Sequence, residues 1–305
     1  MGAGLTCPWC SAPRIAGAAC PRCGANYAKA EQIRTTGRAS APAAVLEEED
    51  PFPEPLPAVD DPDLEWKITA AALPAMLAIG VLFHFLTPGL QRIFFGMPIH
   101  ELGHAVSAWF CGFFAIPTLW KTLVFEGRGF VTPILLAGAL GYGMVVAWRA
   151  EKMGYVVLLA GFLALQAIGT FGIREATAEM LFVFGGDALG MVLAVLLMST
   201  FFFGKRTQLY KGWLRWGFLA IGAAAFSDMF ATWFVAQWNP DVIPFGEIEG
   251  VGDSDPVKLT QDFGWTISQL VRRYVLVGYG SLAAFAVVYA WAVMRARRKA
   301  REAQS

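Results

Sequence analysis

Two of the three histidines in this 305-residue chain stand four apart, in His100-Glu101-Leu102-Gly103-His104. On a helix, positions i and i+4 share a face, so both imidazoles can bind one Zn²⁺. Glu101, one step round from His100, reaches the side where a water on that metal would sit. Zinc lowers the pKa of such a water from about 16 to about 7, and a carboxylate takes its proton as hydroxide attacks a carbonyl. The surrounding segment, FFGMPIHELGHAVSAWFCGF, is otherwise apolar. Ionisable groups at membrane depth are costly and usually functional. The arrangement therefore reads as a metal site with Glu101 as general base.

A second set of ligands lies near the N-terminus, in CPWCSAPRIAGAACPRC. Cys7/Cys10 and Cys20/Cys23 form two C-x-x-C pairs, and two such turns complete a tetrahedral, closed Zn²⁺ site. A closed site has no open position, so this zinc is scaffold and not catalyst. So few residues cannot build a core, and the metal supplies the folding free energy. The first 30 residues have no apolar stretch of signal-peptide type, which argues against an oxidising compartment and disulfides. The fifth cysteine, Cys111, reads as a small packing residue.

The elements that carry these groups follow from composition. Hydrophobic residues make up 56% of the chain and charged residues 16%; mean hydropathy is +0.49. Soluble domains average about 45–50% and about 25%. A water-soluble enzyme, a disordered chain and a basic nucleic-acid binder are all excluded, and no nucleic-acid partner is expected. Glu47 to Glu65 holds nine acidic residues, five prolines and no basic residue, while Arg295 to Arg301 holds five basic residues in seven. Segments of roughly spanning length lie at 68–86, 94–113, 131–148, 154–172, 179–203, 213–236 and 274–294. The expected fold is an all-α polytopic membrane protein of six or seven transmembrane segments with a small Cys₄ zinc ribbon. Its expected divisions are a ribbon over 1–28, a disordered acidic Pro-rich linker over 29–66, a transmembrane metalloprotease-like domain over 67–296 and a basic tail over 297–305. Lys205, Arg206, Lys211 and Arg215 mark a cytoplasmic loop, and Arg295 to Arg301 a cytoplasmic C-terminus. A reduced zinc ribbon puts the N-terminus on the same side. Two ends on one side need an even number of crossings, so one of the seven segments must be re-entrant or the count is one too high.

FFGMPIHELGHAVSAWFCGF resembles the HExGHA helix of the site-2 protease family, the intramembrane zinc metalloproteases. The stretch from Gly112 to Gly143 resembles that family's membrane-dipping segment and next helix, and the closest likeness is to its divergent peptidase-like branch. The resemblance covers roughly 94–260. It implies zinc-dependent cleavage of a membrane-embedded peptide bond, with His100 and His104 as ligands and Glu101 as base. The CPRCGANY knuckle looks bacterial, which implies a bacterial inner membrane. The family's third ligand is an Asp within LDG or NPDG, and neither string occurs here. Asp228, in LAIGAAAFSDMFATWF, ranks first: at the centre of a spanning helix its carboxylate costs about 2.5–3.5 kcal/mol unless partnered. RWGFLAIGAAAFSDMF also resembles the Asp-bearing last core helix of the divergent branch. Asp187, in VFGGDALGM, ranks second, because a helix N-terminus would stabilise it without a metal. Asp255, in GVGDSDPVKL, resembles a downstream Ser-Asp motif and ranks third, ahead of Glu179, His84 or no third ligand. His84 itself reads as a helix-contact histidine, and Gly138, Gly141 and Gly143 as close helix contacts.

The functional expectation is an intramembrane zinc endopeptidase with one structural and one catalytic Zn²⁺, acting on a membrane-anchored protein within the lipid bilayer. The alternative is a non-catalytic relative, a membrane scaffold or regulator working through a protein partner of its zinc ribbon. A transporter is poorly supported, since no inverted repeat is evident.

Overall fold

The structure, a computed structural model, describes residues 6–36, 61–203, 213–248 and 252–304. Most of the expected acidic linker, and the loop with Lys205, Arg206 and Lys211, lie outside the described residues. The chain divides into two compact units, Met1–Leu56 and Pro57–Ser305.

The first unit is built from one knuckle used twice. The Cys7 N–H donates to the Ala12 carbonyl and the Ser11 N–H to the Cys7 carbonyl; the Cys20 N–H donates to Ala25 and the Gly24 N–H to Cys20. Bridges join Thr6 to Pro13 and Ala19 to Asn26. Every member of the second set stands 13 residues after its counterpart. Each knuckle turns through a left-handed residue, Ser11 at φ 58° and Gly24 at φ 72°. Helix α1, Tyr27–Thr36, follows directly. Tyr27 is buried beneath the cysteines, with the Arg14 guanidinium 4.5 Å from its ring centre. The head therefore runs past residue 28, into what was expected to be linker.

The second unit begins earlier than hydropathy suggested. Helix α2 spans Pro62–Leu86. The Asp61 carboxylate accepts from the Asp63 and Leu64 N–H groups at 2.9 and 3.4 Å, Pro62 opens the first turn, and Asp63 and Glu65 lie in it. The end of the acidic tract thus acts as a helix start, where negative charge favours the macrodipole. A short α3, Pro88–Gln91, leads through a π turn, Arg92–Gly96, into α4, Met97–Phe110. A two-stranded antiparallel hairpin follows, β1 Ala115–Pro117 with β2 Thr122–Val124. Helices α5 (Val131–Arg149), α6 (Met153–Ala167), α7 (Glu175–Ser199) and α8 (Leu214–Val235) come next. A second hairpin, β3 Glu247–Ile248 with β4 Gly252–Asp253, opens into α9, Asp255–Gln261. Helix α10 runs from Ile267 to Glu302, started by a Thr266/Gln269 capping box. The expected separate tail at 297–305 is mostly its last turns.

Among the described residues, six helices are long and apolar enough to cross a membrane: α2, α5, α6 with its π turn, α7 with the residues to Phe202, α8 and α10. The segment 94–113 is not among them. With α3 and the π turn the helical run Pro88–Phe110 would be long enough, but Arg92, His100, Glu101 and His104 within it leave it outside the helices apolar enough to cross. The protein is thus an all-α polytopic membrane protein, and the odd count is resolved by removing the helix that carries the histidines. Arg215 is also no loop charge: it is buried, 2.9 Å from Glu65.

The core lies among α2, α4, α7, α8 and α10, around Met191, Met198, Leu219, Met229, Trp233 and Tyr274. Trp233 stacks on Tyr274 with ring centres 4.0 Å apart. Helices α4 and α7 pack so closely that a Cβ on Gly103 would stand 2.5 Å from the carbonyl oxygens of Gly185 and Gly186. The expected glycine contacts lie here rather than on α5. Nothing comes within 4 Å of a Cβ at Gly138 or Gly141, and only Leu159 is tight against Gly143.

Candidate metal centres

In the first unit, the Sγ atoms of Cys7 and Cys23 are 3.9 Å apart and those of Cys10 and Cys20 3.7 Å. All four lie within 4.8 Å of one another. A disulfide would need about 2.05 Å. Four thiolates about 2.3 Å from a tetrahedral zinc stand roughly 3.7–3.8 Å apart, so the cysteines are placed to hold a metal ion. Burial opposes ionisation of Cys20, but N–H groups of Cys23 and Arg22 donating to its sulfur draw its thiol down to about 6. The Ala25 N–H favours the Cys23 thiolate, yet its sulfur neighbours and burial outweigh this and push it up to about 12.

In the second unit, α4 presents both imidazoles toward α7. The Nε2 atoms of His100 and His104 are 3.0 Å apart, and the Asp255 Oδ2 lies 3.2 Å from the first and 3.0 Å from the second. Ligands about 2.0–2.1 Å from a tetrahedral zinc are separated by roughly 3.3–3.4 Å. The three atoms have nearly that spacing and form a triangle open on one side.

The other nitrogen of each ring is also fixed. His100 Nδ1 is 2.7 Å from Asp187 Oδ1, and His104 Nδ1 is 2.7 Å from the Phe182 carbonyl. Both contacts require an N–H at Nδ1, which leaves both Nε2 lone pairs turned toward Asp255. This is the tautomer that metal-binding histidines adopt, with the far N–H given to a carboxylate or carbonyl. Glu101 stands apart from the triangle. Its carboxylate accepts from the Thr122 hydroxyl on β2 at 2.8 Å, and it lines the same cavity of about 450 Å³.

The expected third ligand is corrected by this geometry. Asp228 is buried mid-helix as expected, but its partner is Arg92, at 3.1 Å, with His84 Nδ1 3.7 Å from its other oxygen. Asp187 lies against His100, but at Nδ1 rather than Nε2; it also accepts from Arg92 at 3.1 Å and from the Trp233 indole at 2.7 Å. Asp255, ranked behind both, is the carboxylate that meets the two Nε2 atoms. The energetic argument that a buried Asp228 needs a positive partner was sound, but Arg92 meets that need.

Arg92 is the residue sequence reasoning passed over, although it is the only Lys or Arg between Lys67 and Lys121. Ending one segment at 86 and starting the next at 94 left it in a supposed loop. In an uninterrupted α-helix a residue eight positions on is rotated by about 80°. The π turn Arg92–Gly96 winds less per residue and brings Arg92 onto the His100 face, with Nη2 3.5 Å from Nδ1. Asp187 and Asp228 share this guanidinium, while Asp255 is left to the two imidazoles. Two imidazoles and one carboxylate, with a fourth position open, are a donor set that fits a zinc ion.

No family model, curated protein or solved structure matches the chain.

Proposed function

We propose that the protein is an intramembrane zinc-dependent endopeptidase, related to the site-2 proteases, that cleaves a membrane-embedded peptide bond. The observation that carries this reading is the convergence of His100, His104 and Asp255 within one cavity, with Glu101 beside them but not among them. By rise per residue, Asp187 is about 18 Å along α7 from Glu175, and Asp228 about 10 Å from the end of α8. Both lie on helices long enough to span, so the chemistry sits at membrane depth.

His100, His104 and Asp255 would hold the catalytic zinc, and the four cysteines a structural one. When bound, the catalytic ion supplies Lewis acidity, lowering the pKa of a coordinated water and polarising a carbonyl. Glu101 accepts the proton of the attacking water and delivers it to the leaving amine. Thr122 fixes the carboxylate for that task through its hydroxyl. Asp187 and the Phe182 carbonyl keep both imidazoles in one tautomer and orientation, and Arg92 holds Asp187 in place. The resemblance of the HELGH helix to the site-2 family points the same way. So does the presence of Glu101 in the wall of the same cavity.

The test is Glu101→Gln in the full-length protein reconstituted into vesicles. The variant is expected to keep two equivalents of zinc and its helical content while losing at least about 100-fold in cleavage of transmembrane peptides, at the low end for general-base loss. Undiminished turnover would remove the proteolytic reading. A wild-type protein that binds zinc at His100 and His104 but cleaves nothing would leave the non-catalytic scaffold.

A further inference from the structure

Water adding to a peptide carbonyl turns the carbonyl oxygen into an oxyanion, and a preorganised hydrogen-bond donor aimed at that oxygen is often the largest single contribution to rate. Glu101 does not meet this need, since a carboxylate accepts and does not donate. Most side-chain donors in the cavity wall are already given away. Arg92 is shared by Asp187 and Asp228, the Trp233 indole N–H donates to Asp187 at 2.7 Å, and the Thr122 hydroxyl donates to Glu101 at 2.8 Å. Lys121 and Lys258 are half-buried and share the wall with two further carboxylates, Glu247 and Asp253. Trp120 is exposed at the turn of the first hairpin. The Ser254 hydroxyl is unpaired, but it is sealed within the protein.

Tyr274 differs from all of these. It is the residue that α10 contributes to the cavity wall, and it is 1% exposed. Among the described residues its hydroxyl has no hydrogen-bond partner, yet it is not sealed as the Tyr27 and Ser254 hydroxyls are. The little of Tyr274 that is open therefore includes its oxygen, and the space it meets is the cavity. The ring is held firmly, stacked on Trp233 with centres 4.0 Å apart and packed 4.6 Å from Phe184. Trp233 in turn holds Asp187, which orients His100. The phenol is thus fixed to the scaffold that fixes the metal ligands. A buried hydroxyl without a partner costs free energy, and a carbonyl oxygen bound in the cavity would remove that cost.

Resting on the endopeptidase reading, we propose that Tyr274 is a catalytic residue whose hydroxyl donates to the oxyanion of the peptide bond being cut. As water adds, its oxygen bonds to the carbonyl carbon and its proton passes to Glu101. The carbonyl π pair moves onto the oxygen that faces Tyr274. The phenol keeps its proton and donates a hydrogen bond, which is stronger to the charged oxygen than to the carbonyl before it. When the pair returns, the C–N bond breaks and the amine leaves with the proton held by Glu101.

The test is Tyr274→Phe, which keeps the ring and its stacking and removes one oxygen. The full-length variant, in phosphatidylethanolamine–phosphatidylglycerol vesicles, is expected to keep the zinc content and circular dichroism of the wild type. For a transmembrane peptide that the wild type cleaves, kcat is expected to fall about 10²–10³-fold, the range for removing one such donor, with KM within about three-fold. A second measurement needs no turnover. A phosphinate analogue of that peptide, with tetrahedral phosphorus and its charged oxygens in place of the scissile carbonyl, is expected to bind the variant at least about ten-fold more weakly than the wild type. Undiminished kcat, or a loss confined to KM, overturns the oxyanion donor. So does a fall in zinc content or an unchanged affinity for the phosphinate, because the phenol would then act through the metal ligands and not on the substrate. A wild type that cleaves no transmembrane peptide overturns the endopeptidase reading and the oxyanion donor with it.

Discussion

Arg92 shows how much a single side chain can hold in place. It lies 3.1 Å from Asp187 Oδ1 and 3.1 Å from Asp228 Oδ2, and Asp187 in turn orients His100. Removing one partner of a buried ion pair leaves an uncompensated charge and costs about 3–5 kcal/mol. Arg92→Met is therefore expected to lower stability by about that amount and to weaken zinc binding at His100. Adding Asp228→Asn to it should recover a substantial part of the stability, because the double variant no longer buries the second carboxylate unpaired. Unfolding of reconstituted single and double variants measures both effects; equal losses would show that charge balance does not hold this cluster together. At this scale the sequence was legible in types and not in partners. His100, Glu101 and His104 declared themselves by spacing. Asp228 declared only that it needed a cation, and a one-dimensional reading could not decide between a metal and an arginine 136 positions away.

Among the elements, the α4–α7 contact positions the site. Gly186 is where that contact meets both ligands, since a Cβ there would stand 2.5 Å from His100 Cε1 and 2.6 Å from His104 Nε2. Gly186→Ala is expected to displace the imidazoles and lower zinc affinity by about the 10–100-fold seen when the support of a ligand is lost. Ala at the open Gly138 should leave affinity within about two-fold. Metal titration of the two proteins checks the contrast. The head depends on its elements differently: each knuckle is too short to bury a core, so chelation of the cysteine-bound metal is expected to unfold residues 6–36 while α2 to α10 stay helical. Cys23 is pushed up to about 12 and holds a proton at pH 7 until metal displaces it. Metal uptake by the head should therefore release protons and weaken as pH falls. Hydropathy found every spanning helix but also counted α4, because an apolar window does not show that a helix stops at Phe110 and turns into a hairpin. Asp255 was underrated for a related reason. It lies in a polar stretch that reads as an external loop, and only the β3–β4 hairpin and α9 carry it back to the histidines.

For the molecule as a whole, six helices of spanning length predict that both chain ends lie on one face. The Arg215–Glu65 pair joins the first turn of α8 to the first turn of α2, and Arg297, near the end of α10, lies over Trp66 of α2 at 5.9 Å. Those two contacts gather the start of α2, the start of α8 and the end of α10 at one end of the bundle. The five basic residues between Arg295 and Arg301 stand at that end, and Lys205, Arg206 and Lys211 precede α8 in the sequence. Positive charge next to spanning helices favours the cytoplasmic side, and both clusters vote for the same face. The acidic stretch from Asn239 to Asp262 joins the other ends of α8 and α10, so Asp255 enters the site from the opposite face. The expected topology has both termini in the cytoplasm and the 239–262 segment outside. Single cysteines placed at 303 and at 241, in a chain whose Cys111 is replaced by Ser, should label oppositely with a membrane-impermeant maleimide in intact cells. Position 241 reacts from outside; position 303 reacts only after permeabilisation. Labelling of both from outside would mean that α10, the one candidate span between them, does not cross. Labelling of 303 alone would invert the protein and open the Asp255 side of the cavity to the cytoplasm.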